Sequence, residues 1–206
     1  ELDIPYQKLV GKMADAVKQL LEEQHLTLED CDGIGIGCPG TINDETGVVI
    51  YSNNIRWENI PLVEELGKHL SVHIAIANDA DAAALGEVCA GAAKGAKAAV
   101  LLTLGTGVGG GVILDRKIFH GPLVGGCELG HISIDYKGVR CSCGRRGCLE
   151  AYASASALLR IAGEKAMEHP ESVMHGMCDG NLSNMNGKIP FDAAAQGDVA
   201  GRETVE

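Results

Sequence analysis

Basic residues are in short supply: the 206-residue chain carries 17 Lys and Arg against 28 Asp and Glu, for a formal net charge of -11. An acidic surface repels phosphate backbones and anionic lipid, which argues against nucleic acid and membrane as electrostatic partners. Also missing is any apolar run of about 18 residues, the length of a membrane span. No basic stretch followed by an apolar segment opens the chain. It reads as soluble, with small neutral or metal-complexed ligands favoured. It begins Glu1-Leu2-Asp3 without an initiator Met, as expected of a piece of a longer protein. What is plentiful is apolar side chain, 46% of residues, enough to bury one sizeable core or two smaller ones.

The pattern along the chain is α/β. Leu9, Val10, Met13, Val17, Leu20 and Leu21 recur at helical spacing, which predicts an amphipathic helix over residues 5–23. Short buried strands are expected over 32–38, 48–51 and 72–77, a short helix from Pro61 to about residue 70, and an alanine-rich helix over 80–90. The small-residue stretch 91–97 suggests a crossing between two lobes, 1–96 and 97–206. Beyond it, a strand over 98–104, a turn at Gly105–Gly111 and a returning strand over 112–119 make a hairpin. A long helix over 150–168 and the start of another at Phe191 complete the pass.

Of eight cysteines, Cys141, Cys143 and Cys148 are bunched, while the other five are scattered among apolar or glycine-rich neighbours. Scatter favours reduced, buried thiols; bunching favours metal. With His131 the three form His-x9-Cys-x-Cys-x4-Cys, and Gly144 and Gly147 supply tight turns. Zinc is the natural occupant, in a closed structural site, since a hydrolytic zinc keeps one position for water. The plain alternative is a set of reactive or disulfide-bonded cysteines beside an unrelated histidine.

Asn78-Asp79 lies where a predicted strand gives way to a helix, the carboxyl edge at which ligands gather in open α/β sheets. Asp79 could equally serve as a helix cap. Gly105-Thr106-Gly107-Val108-Gly109-Gly110 satisfies the dinucleotide-binding pattern G-x-G-x-x-G, but strand-like residues follow where a helix should open, and no Gly-Lys-Ser/Thr ends the run. Its backbone amides and the Thr106 hydroxyl remain able to cradle phosphate oxygens.

The runs Cys127-Glu128-Leu129-Gly130-His131, Cys141 to Tyr152 and Ala77 to Glu87 resemble the signature segments of the ROK family of sugar kinases and sugar-responsive repressors. The resemblance implies a two-lobed actin-like ATPase (ribonuclease H-like) fold, here lacking the first phosphate loop and the adenine-binding segment. It implies glucokinase-type transfer of phosphate from ATP, with Mg2+, to a hexose, with Asp79 as general base. Glucose is expected, with fructose, allose and N-acetylmannosamine as rivals. The implied sugar ligands are Gly40, Thr41, Asn53, Asn78, Glu128, His131 and Glu150, and the implied nucleotide contacts are Gly105, Thr106 and Gly107. His131, Cys141, Cys143 and Cys148 would hold structural Zn2+. Arg56 departs from the glycine common at its position in the family. By residue chemistry alone, Glu150 reads as an acid at a helix N-terminus and Pro39-Gly40-Thr41 as an ordinary turn. A cytoplasmic homodimer or homotetramer is implied for the full-length protein, and a sugar-sensing repressor is the rival function.

Overall fold

The computed structural model describes residues 4–121 and 127–206. The chain runs α1 (Tyr6–Glu23), β1 (Ile34–Cys38), β2 (Thr41–Asn43), β3 (Val48–Ser52), β4 (Trp57–Ile60), α2 (Leu62–Gly67), β5 (Ile74–Asn78) and α3 (Asp79–Cys89). There follow β6 (Ala98–Leu104), β7 (Val108–Leu114), β8 (Lys117–Ile118), α4 (Glu150–Ala153), α5 (Ala155–Glu168), α6 (Met174–Met177), α7 (Ile189–Ala195) and α8 (Val199–Val205). Two compact units result: residues 1–101 with 110–127, and residues 102–109 with 128–206. The chain passes between units within β6 after Leu101, back within β7 after Gly109, and again after Cys127.

In the first unit β1 and β5 pair in parallel, from Ile34 opposite Ile74 to Cys38 opposite Asn78. The strands β2, β3 and β4 form an antiparallel sheet. Val10 and Ala14 of α1, Leu62 and Leu66 of α2, Leu70, Val49, Trp57, Ile74 and Ile76 close one core around these elements. Each fully buried leucine there contributes about 1.5–3 kcal/mol relative to an exposed one. A second cluster packs Ala84 and Val88 of α3 against Ile113 of β7. The second unit buries Ala162, Ala166, Met174, Cys178, Ile189, Ala193 and Ala200, small residues that let helices approach closely.

Three expectations are corrected. The returning strand begins at Val108 rather than Val112, because Gly109–Gly111 lie within β7. A Cβ at Gly111 would sit 2.6 Å from the Ala84 Cβ, so glycine there serves helix-on-strand packing rather than turning. That strand then splits at Asp115 and Arg116, both at positive φ, the two-residue geometry of a tight hairpin. Finally, the predicted helix over 150–168 is broken at Ser154, whose hydroxyl accepts the Ala157 amide at 3.0 Å and so caps α5. Among the described residues no helix is long and apolar enough to cross a membrane.

Candidate active site and metal centre

In the first unit the carboxyl ends of β1 and β5 carry the predicted residues together. Asn78 ends β5 and caps α3: its side-chain oxygen accepts the Ala80 and Asp81 amides at 2.9 and 3.2 Å. Its side-chain nitrogen donates to the Gly40 carbonyl at 3.0 Å. Capping therefore falls to Asn78, and Asp79, the first helical residue, presents an exposed carboxylate bonded to the Ala80 amide at 3.0 Å. The positive end of the helix favours a negative charge there. Gly40 adopts φ 112, and a Cβ would strike the Tyr51 carbonyl, so only glycine lets this loop lie against the end of β3. Thr41 pairs with Tyr51. The turn after β3 carries Asn53, exposed, its side-chain oxygen accepting the Tyr51 hydroxyl at 3.4 Å. Gly40 is thus bonded to Asn78, with Thr41 and Asp79 next to them in the chain, and Asn53 stands beside Tyr51, the pairing partner of Thr41. Burial and then the Asp79 charge push the Cys38 thiol up to about 11, which keeps it neutral.

The second unit holds the other half of the predicted set. Gly105, Thr106 and Gly107 form the tip between β6 and β7, closed by a hydrogen bond from the Gly105 amide to the Gly107 carbonyl at 3.0 Å. The Gly105 carbonyl accepts the Ala155 amide at 2.8 Å, and the Thr106 carbonyl accepts the Ser156 hydroxyl at 2.8 Å. These bonds seat the turn on the start of α5. Thr106 is exposed at the tip. Glu150 opens α4, and its carboxylate accepts the Val108 amide at 3.0 Å and the Ser142 hydroxyl at 3.3 Å. A Cβ at Gly107 would collide with that carboxylate. Nothing in the sequence signalled this contact, since Val108 and Glu150 are 42 residues apart.

The cysteine knob is a short antiparallel loop, bridged at Ser133–Cys148 and Arg140–Arg146, with Gly144 and Gly147 both at positive φ as the turns require. The Tyr152 hydroxyl accepts the Val139 amide at 2.9 Å and fastens the knob to α4. The ligand atoms of His131, Cys141, Cys143 and Cys148 all lie within 4.8 Å of one another. Cys141 Sγ stands 3.7 Å from His131 Nδ1, and Cys143 Sγ 3.6 Å from Cys148 Sγ. Tetrahedral bonds of about 2.0–2.3 Å require ligand separations of this size, so the four donors fit one ion. The Arg145 backbone and guanidinium hold the Cys143 thiol down to about 6, whereas burial pushes Cys148 up to about 11. Glu128 and His131 flank one tight turn, its His131 amide bonded to the Glu128 carbonyl at 3.0 Å. That turn is a single 3-10 turn, Leu129–His131.

The chain is 43% identical over 165 residues to a glucokinase of Halalkalibacterium halodurans, covering 80% of this chain and 50% of the relative. It is 40% identical over 156 residues to the xylose repressor of Bacillus subtilis, covering 75% of this chain and 38% of the repressor. A solved ROK family glucokinase from Streptomyces griseus, in complex with glucose and AMPPNP, superposes with TM-score 0.74 at 34% identity over 94% of this chain and 62% of that one. The chain therefore spans about half the length of the curated relatives it matches. Its α/β architecture is that of the ROK sugar kinases, the actin-like ATPase fold. With the ROK family model matching residues 1–206 throughout, the chain belongs to the ROK family.

Proposed function

We propose that the protein phosphorylates a hexose with ATP, converting glucose to glucose 6-phosphate. Asp79 takes the proton of the sugar O6 hydroxyl as that oxygen bonds the γ-phosphorus of ATP, while the bond to the bridging oxygen breaks and its electron pair leaves with ADP. The observation that carries this reading is the division of labour at the start of α3: Asn78 caps the helix, so the Asp79 carboxylate is left exposed for chemistry.

Asn53, Asn78, Glu128, His131 and Glu150 would hold the sugar hydroxyls, with the Gly40-Thr41 backbone close to the ring. Asn78 retains a second amide hydrogen for a sugar oxygen after serving Gly40. His131 turns Nδ1 toward Cys141, which leaves Nε2 for a hydroxyl. The Gly105-Thr106-Gly107 tip would receive phosphate oxygens, with Mg2+ entering alongside the nucleotide. Zn2+ in the knob would close all four positions and act by fixing the His131 ring. The glucose and AMPPNP bound by the Streptomyces griseus relative support this choice of substrates.

A sugar-responsive repressor is the second reading, favoured by the likeness to the xylose repressor. A coupled ADP-release assay on the intact protein with glucose, fructose, allose and N-acetylmannosamine separates the two. Glucose should give turnover, and Asp79→Asn should lower kcat by about 100–10,000-fold while preserving the glucose-induced rise in melting temperature. Full activity in that variant would refute the base assignment. No turnover with any hexose, together with sugar-dependent release of DNA, would favour the repressor.

A further inference from the structure

His120 follows β8 and stands between two carboxylates from distant parts of the sequence. Its Nε2 lies 3.2 Å from Asp44 in the turn between β2 and β3, and its Nδ1 lies 3.6 Å from Asp81 in the first turn of α3. The Asp81 side chain is only 2% exposed. A carboxylate withdrawn from water must be offset by nearby donors or positive charge, and the His120 ring is one neighbour within ion-pair distance.

The segments that bring His120 and Asp44 together are themselves held. The Phe119 amide donates to the Val112 carbonyl at 2.8 Å, and the Cys127 thiol donates to the Phe119 carbonyl at 3.4 Å, so the backbone preceding His120 is fixed to β7. At the other end, the Asn43 side chain accepts the Thr46 amide at 3.0 Å and shapes the turn that presents Asp44. Asp81 in turn donates its amide to the Asn78 cap at 3.2 Å. His120 is thus linked through one side chain to the same helical turn that carries Asp79.

We infer that His120 is a positioning residue for the reaction: by bridging Asp44 and Asp81 it clamps the first turn of α3 and so fixes where the Asp79 carboxylate stands. This rests on Asp79 being the general base. Phosphoryl transfer depends on alignment, and a displacement of about 1 Å in a reacting group costs about 100-fold in rate. Apart from Asn78, the proposed sugar contacts come from other segments, so loss of the clamp should reach kcat before it reaches sugar affinity.

The test is made on the intact protein with His120→Ala, Asp44→Ala, Asp44→Asn, Asp79→Asn and the double variant of His120 and Asp79. His120→Ala should lower kcat by about 10–100-fold with the glucose Kd, measured by calorimetry, held within about threefold. Asp44→Ala should follow in the same direction, and Asp44→Asn, which keeps an acceptor oxygen, should fall less. Because His120 acts through Asp79, adding His120→Ala to Asp79→Asn should cost less than about twofold more. Hydrogen exchange gives a readout independent of turnover: the Ala80 and Asp81 amides should exchange faster in His120→Ala while those of α5 stay unchanged. Unaltered exchange at Ala80 and Asp81, a loss confined to sugar affinity, or full additivity with Asp79→Asn would each overturn the inference. Inactivity of the unsubstituted protein would instead remove the kinase reading, and full activity of Asp79→Asn would remove the base assignment; in either case the exchange measurement would still decide whether His120 holds the helix.

Discussion

The carboxylate of Glu150 accepts the Val108 amide at 3.0 Å, joining the helix that follows the cysteine knob to the first residue past the glycine turn. The same carboxylate accepts the Ser142 hydroxyl from inside the knob. The cysteine knob and the glycine turn are therefore mechanically connected through one side chain.

Removing this strut should affect two ligands together. Glu150→Ala is expected to weaken both glucose and nucleotide binding in calorimetry and to lower stability by about 1.5–3 kcal/mol in urea unfolding, the scale of a lost charge-assisted hydrogen bond. Glu150→Gln, which retains one acceptor, should lose less of each. An effect on glucose alone would show that the link to the Val108 amide does not bear on the turn.

One zinc ion per chain is expected by elemental analysis of the purified protein. Cys143 is exposed, so Cys143→Ala opens no cavity and its consequences report on metal ligation. Zinc affinity should drop by more than about 100-fold, beyond the loss typical of an outer-shell partner, and chelator should then lower the melting temperature at concentrations that leave the unsubstituted protein intact. Equal chelator sensitivity would argue against Cys143 as a ligand.

A pH effect is expected at the α5–α8 contact. The Glu171 carboxylate beside His169, helped by Glu203, holds the imidazole above its ordinary range, while Lys165 and His169 hold Glu203 below the usual carboxylate range. A raised histidine contributes stability fully below its unfolded value of about 6.5 and loses it as pH rises through the folded value. A depressed glutamate contributes above about 4.3 and loses it as pH falls through its folded value. The network should therefore be strongest between these limits. The melting-temperature gap between the unsubstituted protein and His169→Gln should be wider at pH 6 than at pH 9, and a gap independent of pH would contradict the assignment.

Asp198 does several jobs at once. It caps α8 through the Gly201 amide at 2.8 Å and accepts the Ser172 hydroxyl and the Val173 amide, both at 3.0 Å. Burial alone would raise its carboxyl, yet these donors together hold it below the ordinary aspartate range. Asp198→Ala should cost about 2 kcal/mol in urea unfolding, the upper end for a cap with further partners. Asp198→Asn should cost less, and a loss confined to a few tenths would mean that the bonds to Ser172 and Val173 add nothing.

The periodic elements were legible in the sequence. The apolar spacing of Leu9, Val10, Met13 and Val17 announced α1 because one face must bury against a core, and that face does. The strands Thr41–Asn43 and Trp57–Ile60 were not anticipated, since three or four residues are too few to display an alternation and their partners lie on β3. The break at Ser154 was equally hidden, because apolar residues continue across it and only a hydroxyl turned to the Ala157 amide marks the restart.

By itself, the sequence determined whatever depends on short spacing: the His131, Cys141, Cys143 and Cys148 donor set, and an Asn-Asp pair at a strand–helix junction. Such groups are brought together by a few bonds of chain whatever the rest of the molecule does. Only the tertiary structure decided that Asn78 and not Asp79 caps α3, that Glu150 reaches Val108, and that His120 stands between Asp44 and Asp81. Asp44 and His120 are 76 residues apart, and no local preference encodes such a meeting. It comes from the packing of α3, β7 and the β2–β3 turn within one unit, which sets side-chain distances that composition and periodicity leave open.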